Sequence, residues 1–166
     1  MKVIVGDIWT DRQVEGQVVV PINWTFNRYG RAVMGRGVAR QAADKYPDLA
    51  LLLGGMIKSN PRTPQICFHK DLILFPVKNH WRDKADLNII ARSLWELRAL
   101  QSSGTIYFPL LGAGFGELDP VAVLTLMAYM LPSERHILVL KDATVAARYP
   151  ESFAPSTLAN RRDRTV

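Results

Sequence analysis

The stretch Thr105-Ile106-Tyr107-Phe108-Pro109-Leu110-Leu111-Gly112-Ala113-Gly114-Phe115-Gly116 decides the fold of this chain. An apolar, strand-like run breaks into a loop in which glycine recurs at every second position. Asp119-Pro120 then opens a helix, the aspartate as N-cap and the proline in the first turn, where no backbone donor is needed. The same grammar occurs earlier. Residues 17–22 read as a near-continuous apolar strand fit for a sheet centre, and Met34-Gly35-Arg36-Gly37-Val38-Ala39 leads into a helix over 37–46.

Glycines at strand-to-helix junctions permit positive φ and let a ligand approach the backbone with no Cβ in the way. Backbone N–H groups and helix N-termini favour anions. Two such loops can grip a pyrophosphate from both sides, which points to a nucleoside-diphosphate-sugar pocket. Neither loop carries the third glycine and following acid of a dinucleotide fingerprint, and no Gly-Lys-Ser/Thr of a P-loop appears.

Further strands are expected at 2–5, 65–69, 72–76 and 136–140, and helices at 49–57, 86–100 and 143–148. Residues 59–64 are a loop on composition, and Lys70-Asp71 a tight turn. In the 86–100 helix, Leu87, Ile90, Leu94, Leu97 and the nearby Ala91 form one apolar stripe, and Trp95 is read as structural. Strands alternating with helices predict a three-layer α/β/α domain with a central mixed β-sheet. The domain is expected to run over 1–150, with a loosely ordered basic tail at 151–166.

Bulk properties narrow the class. The 166 residues are 48% hydrophobic and 22% charged, ordinary for one globular domain. A single cysteine, Cys67, rules out a disulfide framework and suits a reducing cytoplasm. His69, His80 and His136 fall on separate elements, so no metal site is expected. The apolar stretch 121–131 is too short to span a bilayer, and the N-terminus reads as a strand rather than a leader. No membrane partner is expected, and the chain is read as a monomer. The net charge of +6 favours phosphate-rich partners, nucleic acid included.

Open α/β sheets bind ligands beyond the carboxyl ends of their strands. The strand ends here are Gly6-Asp7-Ile8, Pro21-Ile22-Asn23, Phe75-Pro76-Val77-Lys78-Asn79-His80-Trp81-Arg82 and Pro109-Leu110-Leu111-Gly112-Ala113-Gly114. An acid, an amide, a lysine and two glycine loops would converge on one rim.

Taken in order over roughly residues 1–142, these motifs resemble the macrodomain family, the ADP-ribose-binding fold. The stretch 75–82 is similar to the branch that holds the DarG-like DNA ADP-ribosyl glycohydrolase antitoxins and the terminal ADP-ribose glycohydrolase. The resemblance implies that Asp7 accepts from the adenine amino group, with the Ile8 backbone nearby, and that Asn23 sits near the distal ribose. It implies that Gly35, Arg36, Gly37 and Val38 line one side of the pyrophosphate and distal ribose. Gly112, Ala113, Gly114, Phe115 and Gly116 would line the other. ADP-ribose would be ligand or product, with no cofactor, and Lys78 would be the catalytic lysine acting at the anomeric carbon of the distal ribose.

Chemistry gives Lys78 a use of its own. Cleaving an ADP-ribosyl linkage means attack at an electrophilic, acetal-like carbon. An unprotonated lysine amine can add there and pass through a Schiff base that water resolves, a state that burial or a neighbouring cation such as Arg82 or Lys84 favours. A charged lysine could instead polarise the leaving group. The sequence departs from one relative, which pairs its lysine with an aspartate where Gly116 stands here. Glu117, Asp119 and His80 are candidate helpers.

Residues 24–33 form a long insertion after Asn23, with Trp24, Phe26, Tyr29, Arg28 and Arg31. Such a segment could be a flap whose arginines, with His80 and Trp81, contact the substrate, or its aromatics could simply pack beneath the loop. The expected activity is ADP-ribosyl glycohydrolysis of a modified nucleic acid or protein. The alternatives are a non-catalytic ADP-ribose-binding module and an ADP-ribose 1″-phosphate phosphatase.

Overall fold

The computed structural model describes residues 1–12, 14–100 and 104–141. Six strands, β1 (Lys2–Val5), β2 (Gly16–Asn23), β3 (Cys67–His69), β4 (Leu72–Lys78), β5 (Thr105–Phe108) and β6 (His136–Leu140), form one sheet in the order β1-β6-β5-β2-β4-β3. All pairings are parallel except β3 with β4, so the sheet is mixed as expected. The helices are α1 (Gly37–Lys45), α2 (Leu49–Ser59), α3 (Leu87–Ala99) and α4 (Pro120–Met130).

Alternation along the strands builds two cores. Val18, Val20, Ile22, Leu72, Leu74 and Tyr107 pack beneath α1 and α2. Val19, Ile73, Phe75, Val77, Ile106 and Phe108 pack beneath α3 and α4. Three layers follow directly, because a sheet apolar on both faces must be covered on both.

The structure differs from the sequence reading at definite places. β3 is shorter than expected because the Ile66 N–H donates to the Glu96 carboxylate (3.3 Å) instead of a neighbouring strand. β4 is longer and ends on Lys78. In α3 the buried face includes Ile89 and Ser93, whereas Leu87 is exposed. The buried Ser93 hydroxyl donates to the Pro76 carbonyl (3.1 Å), which fixes how the helix is turned. Trp95 is consequently carried to the solvent side and is 66% exposed, so it is not part of the core. The expected N-cap of α4 is present: Asp119 accepts from Val121 N and Ala122 N, a contact of about 1 kcal/mol. The helix expected at 143–148, the domain boundary at 150 and the tail at 151–166 lie outside the described residues. Among the described residues no helix is long and apolar enough to cross a membrane.

Candidate functional site

The parallel strands bring their carboxyl ends to one rim, and the sheet order spaces the singled-out residues along it. Asp7 follows β1 at one edge, the loop holding Gly112–Gly116 follows β5, Asn23 ends β2, and Lys78 ends β4. Four inter-strand steps separate β1 from β4, about 19 Å at about 4.8 Å each. That span suits an extended nucleoside diphosphate sugar lying across the rim.

Lys78 owes its place to a fault in the ladder. β2 and β4 pair as Pro21↔Phe75 and Ile22↔Pro76, then skip to Asn23↔Lys78. Pro76 has no N–H to give, and the register slips one residue beyond it. The slip sets Lys78, rather than Val77, beside Asn23.

Asp7 and Asn23 are both tied to their own surroundings. Asp7 Oδ1 accepts from Trp9 N (2.7 Å) and Thr10 N (3.2 Å), and Asp7 N donates to Asp11 Oδ2 (2.7 Å). Ile8 is buried under the turn this makes. Asn23 Nδ2 donates to Val33 O (2.7 Å) and its Oδ1 accepts from Thr25 N (3.1 Å), so its side chain straps both ends of the 24–33 insertion. The amide thus has a structural task that the sequence did not reveal.

The two glycine loops touch. The Arg36 guanidinium lies over the Phe115 ring, 5.2 Å from its centroid, and the same ring is the nearest group to a Cβ built on Gly37. Gly37 has φ +56° and Gly112 φ +66°, in the region glycine favours. Gly35 and Gly114 face open space, and Val38 and Ala113 are half-buried beside them. Gly116 is different. A Cβ there would collide with the Gly112 carbonyl oxygen and approach Ala85 Cβ to 2.7 Å. The acid found at this place in one relative has no room in this loop.

The Lys78 amine is held by the loop that follows it. Nζ donates to Asp83 O (2.8 Å) and Trp81 O (3.1 Å). The loop is anchored at both ends: Trp24 N donates to Asn79 O, Ala85 N to Gly116 O and Asp86 N to Val77 O. The sequence reading overlooked Thr25, Asp83 and Ala85, although the polar run Asn79–Asp83 marks a turn that needs side-chain acceptors. Of the three candidate helpers, Asp119 is occupied as the α4 cap, Glu117 pairs with Lys84 (3.1 Å), and His80 Nδ1 accepts from Arg82 N (3.2 Å). Glu117 also has positive φ (+59°), unusual for a side-chain-bearing residue.

The insertion is part fixture and part surface. Trp24 and Ala32 are buried, Trp24 Nε1 donates to Asn60 O (2.8 Å), Ala32 N to Ala50 O (2.7 Å), and Gly54 of α2 lies so close beneath the Gly30 carbonyl that it has no space for a Cβ. Arg31 is exposed and donates to Pro47 O (3.3 Å), which ties the segment to the start of α2. Arg28 and Tyr29 stand outward as a stacked pair (4.7 Å) with a hydrogen bond of 2.6 Å. A second pair, Arg82 over the half-exposed ring of Trp81 (4.8 Å), stands on the Lys78 loop. The packing reading of the insertion therefore holds for Trp24, while Arg28 and Tyr29 are left exposed.

Two buried titratable groups, Cys67 and His136, are poorly suited to the chemistry. Burial, and then Glu96, push the Cys67 thiol up to about 11, far from a thiolate nucleophile. Burial, and then Arg135, push His136 down to about 4, so it is neutral near pH 7. Among the described residues no three His, Cys, Asp or Glu side chains cluster as metal ligands. A hollow of about 710 Å³ lies beside the start of β2, lined by Trp9, Thr10, Arg12 and Asp71 among others, and its Arg12 is paired with Asp71 (3.5 Å).

No protein-family model matches the sequence, and no curated protein does. Solved structures do match. The macrodomain of Thermus aquaticus DarG superimposes with a TM-score of 0.68 at 23% identity, over 85% of this chain and 97% of that one. The macrodomain of Mycobacterium tuberculosis DarG gives 0.67 at 23% identity, over 84% and 98%. Thermosipho africanus DarTG in complex with ADP-ribose gives 0.70 at 21% identity; the match spans 93% of this chain but 44% of that one.

Proposed function

On the premise of the macrodomain fold that these neighbours share with this chain, we propose that the protein binds ADP-ribose along the carboxyl rim. We further propose that it releases ADP-ribose from a modified nucleic acid by a reaction dependent on Lys78. The observation that carries the reading is the placement of Lys78: the register slip after Pro76 sets it beside Asn23, about 19 Å along the rim from Asp7. An adenine held at the Asp7–Ile8 turn would place the distal ribose at the lysine, with the pyrophosphate between the two glycine loops. Thermosipho africanus DarTG, 44% of which matches this fold, was solved in complex with ADP-ribose.

In the proposed reaction the Lys78 lone pair forms a bond to C1″ of the distal ribose. The bond from C1″ to the carrier breaks, and its electron pair leaves with the carrier atom, which takes a proton. The adduct opens to a Schiff base. Water adds to the carbon, the C–N bond breaks, and ADP-ribose departs with the lysine restored, one water consumed per cycle. The net charge of +6 and the outward Arg28–Tyr29 and Trp81–Arg82 pairs favour nucleic acid over protein as carrier, since such pairs suit phosphates and stacked bases.

The test uses a single-stranded oligonucleotide and an acidic protein, each carrying ADP-ribose, with wild type and Lys78→Ala. Wild type should release ADP-ribose faster from the oligonucleotide, and Lys78→Ala should be slower by about 100-fold or more. Undiminished release by the variant would overturn the mechanism. Calorimetric binding of ADP-ribose with no turnover of either substrate would replace the enzyme reading with that of a binding module.

A further inference from the structure

The loop that receives the Lys78 amine has an unusual construction. It is exposed, yet every main-chain N–H from His80 to Asp83 is bonded. His80 N donates to Asp83 Oδ2 (3.0 Å), Trp81 N to Thr25 Oγ1 (3.1 Å), Arg82 N to His80 Nδ1 (3.2 Å) and Asp83 N to His80 O (3.0 Å). Exposed turns ordinarily leave such groups to water. Here the satisfied donors fix the facing carbonyls, and two of those, Trp81 O and Asp83 O, take hydrogens from Lys78 Nζ.

We propose that the 80–83 turn is a clasp that orients the Lys78 amine, and that Asp83 is its positioning residue. Asp83 closes the turn twice, by its carboxylate onto His80 N and by its own N–H onto His80 O, and it presents one of the two acceptor carbonyls. Lysine has a flexible four-carbon stem and a freely rotating head, so reaching the rim does not aim it. Two carbonyls that take two hydrogens leave a single direction on nitrogen. That direction carries the lone pair of the neutral amine or the third hydrogen of the ammonium. Either form of chemistry at C1″ depends on where it points. Thr25 ties the same turn to the insertion, since its hydroxyl accepts from Trp81 N and donates to Asn79 O (3.2 Å).

This role rests on the proposed reaction, and two readouts separate the claims. The first is steady-state release from the ADP-ribosylated oligonucleotide, with ADP-ribose affinity measured by calorimetry. Asp83→Ala should lower kcat at least tenfold while KM and the ADP-ribose Kd stay within twofold. Asp83→Asn, whose amide oxygen can still accept from His80 N, should recover kcat to within about threefold. The second readout needs no catalysis. Nitrogen-15 NMR of the lysine head groups at low temperature should show a slowly exchanging signal that is absent in Lys78→Ala. It should be lost in Asp83→Ala and kept in Asp83→Asn. Wild-type kcat in Asp83→Ala, or no protected signal in wild type, would overturn the clasp. So would a kcat loss matched by an equal loss of ADP-ribose affinity. If Lys78→Ala turns over normally while the protected signal behaves as stated, the catalytic reading fails and the clasp stands as geometry.

Discussion

The two glycine loops share a signature in sequence and differ in physics. In the loop after β5, Gly112 and Gly116 are packed against each other and against Ala85, Leu118 and Ile90, with no space for even a methyl group. In the loop before α1, Gly35 has nothing within 4 Å of the position its Cβ would take, and Gly37 meets only the edge of Phe115. Gly112 and Gly116 are glycines that the loop after β5 needs in order to fold, whereas Gly35, like Gly114, stands where a ligand could lie. Identical letters therefore mark an internal constraint in one place and an empty approach in the other.

The most severe way to probe this contrast is Gly116→Asp, which inserts the acid that a relative carries. Collision with the Gly112 carbonyl and with Ala85 should destabilise the protein by about 3 kcal/mol, read as a lower urea midpoint at unchanged m. Gly112→Ala adds a positive-φ penalty to a contact of 2.8 Å with Ala85 and should cost about 2 kcal/mol. A stable, more active Gly116→Asp protein would mean that the loop tolerates the acid and that the contrast between the loops is false.

That distinction was not legible in the sequence, and the reason is physical. Period, caps and glycine punctuation are local signals, and they placed the helix at Asp119-Pro120, the central strand at β2 and the mixed three-layer sheet. The glycine at 116 is excluded from change by Ala85 and Gly112, a contact between loops that no local pattern encodes. The same holds at Lys78. The residue was visible, but the slip that positions it depends on Pro76 meeting a particular neighbour, and its clasp depends on Asp83 and Thr25. Trp95 shows the limit from the other side. Helical spacing alone cannot tell how far a helix is rotated, and a hydrogen bond from Ser93 to Pro76 settles it.

Gly35→Ala tests the opposite loop. Because the added methyl group enters open space, the urea midpoint should move by less than about 0.5 kcal/mol equivalent. The same methyl group would stand where the ligand approaches the backbone, so ADP-ribose affinity should fall about tenfold by calorimetry. A large stability loss with unchanged affinity would show that Gly35, too, is held by packing.

The smallest effect belongs to the point where the loops meet. Arg36 stacks on Phe115 at 5.2 Å and the ring is exposed, so the contact is worth about 0.5 kcal/mol to the fold. Phe115→Ala should therefore hardly alter unfolding. The ring nevertheless spans from the packed loop to the open one, over Gly37. If the cleft between them holds a pyrophosphate, releasing Arg36 from the ring frees its guanidinium to pair with phosphate, while losing the ring removes a wall. These act in opposite directions on affinity, and the balance should leave ADP-ribose Kd within about threefold of wild type, with a steeper dependence on salt as the arginine becomes a phosphate contact. An unchanged salt dependence would show that Arg36 does not face the phosphates, and that the open loop binds through its backbone alone.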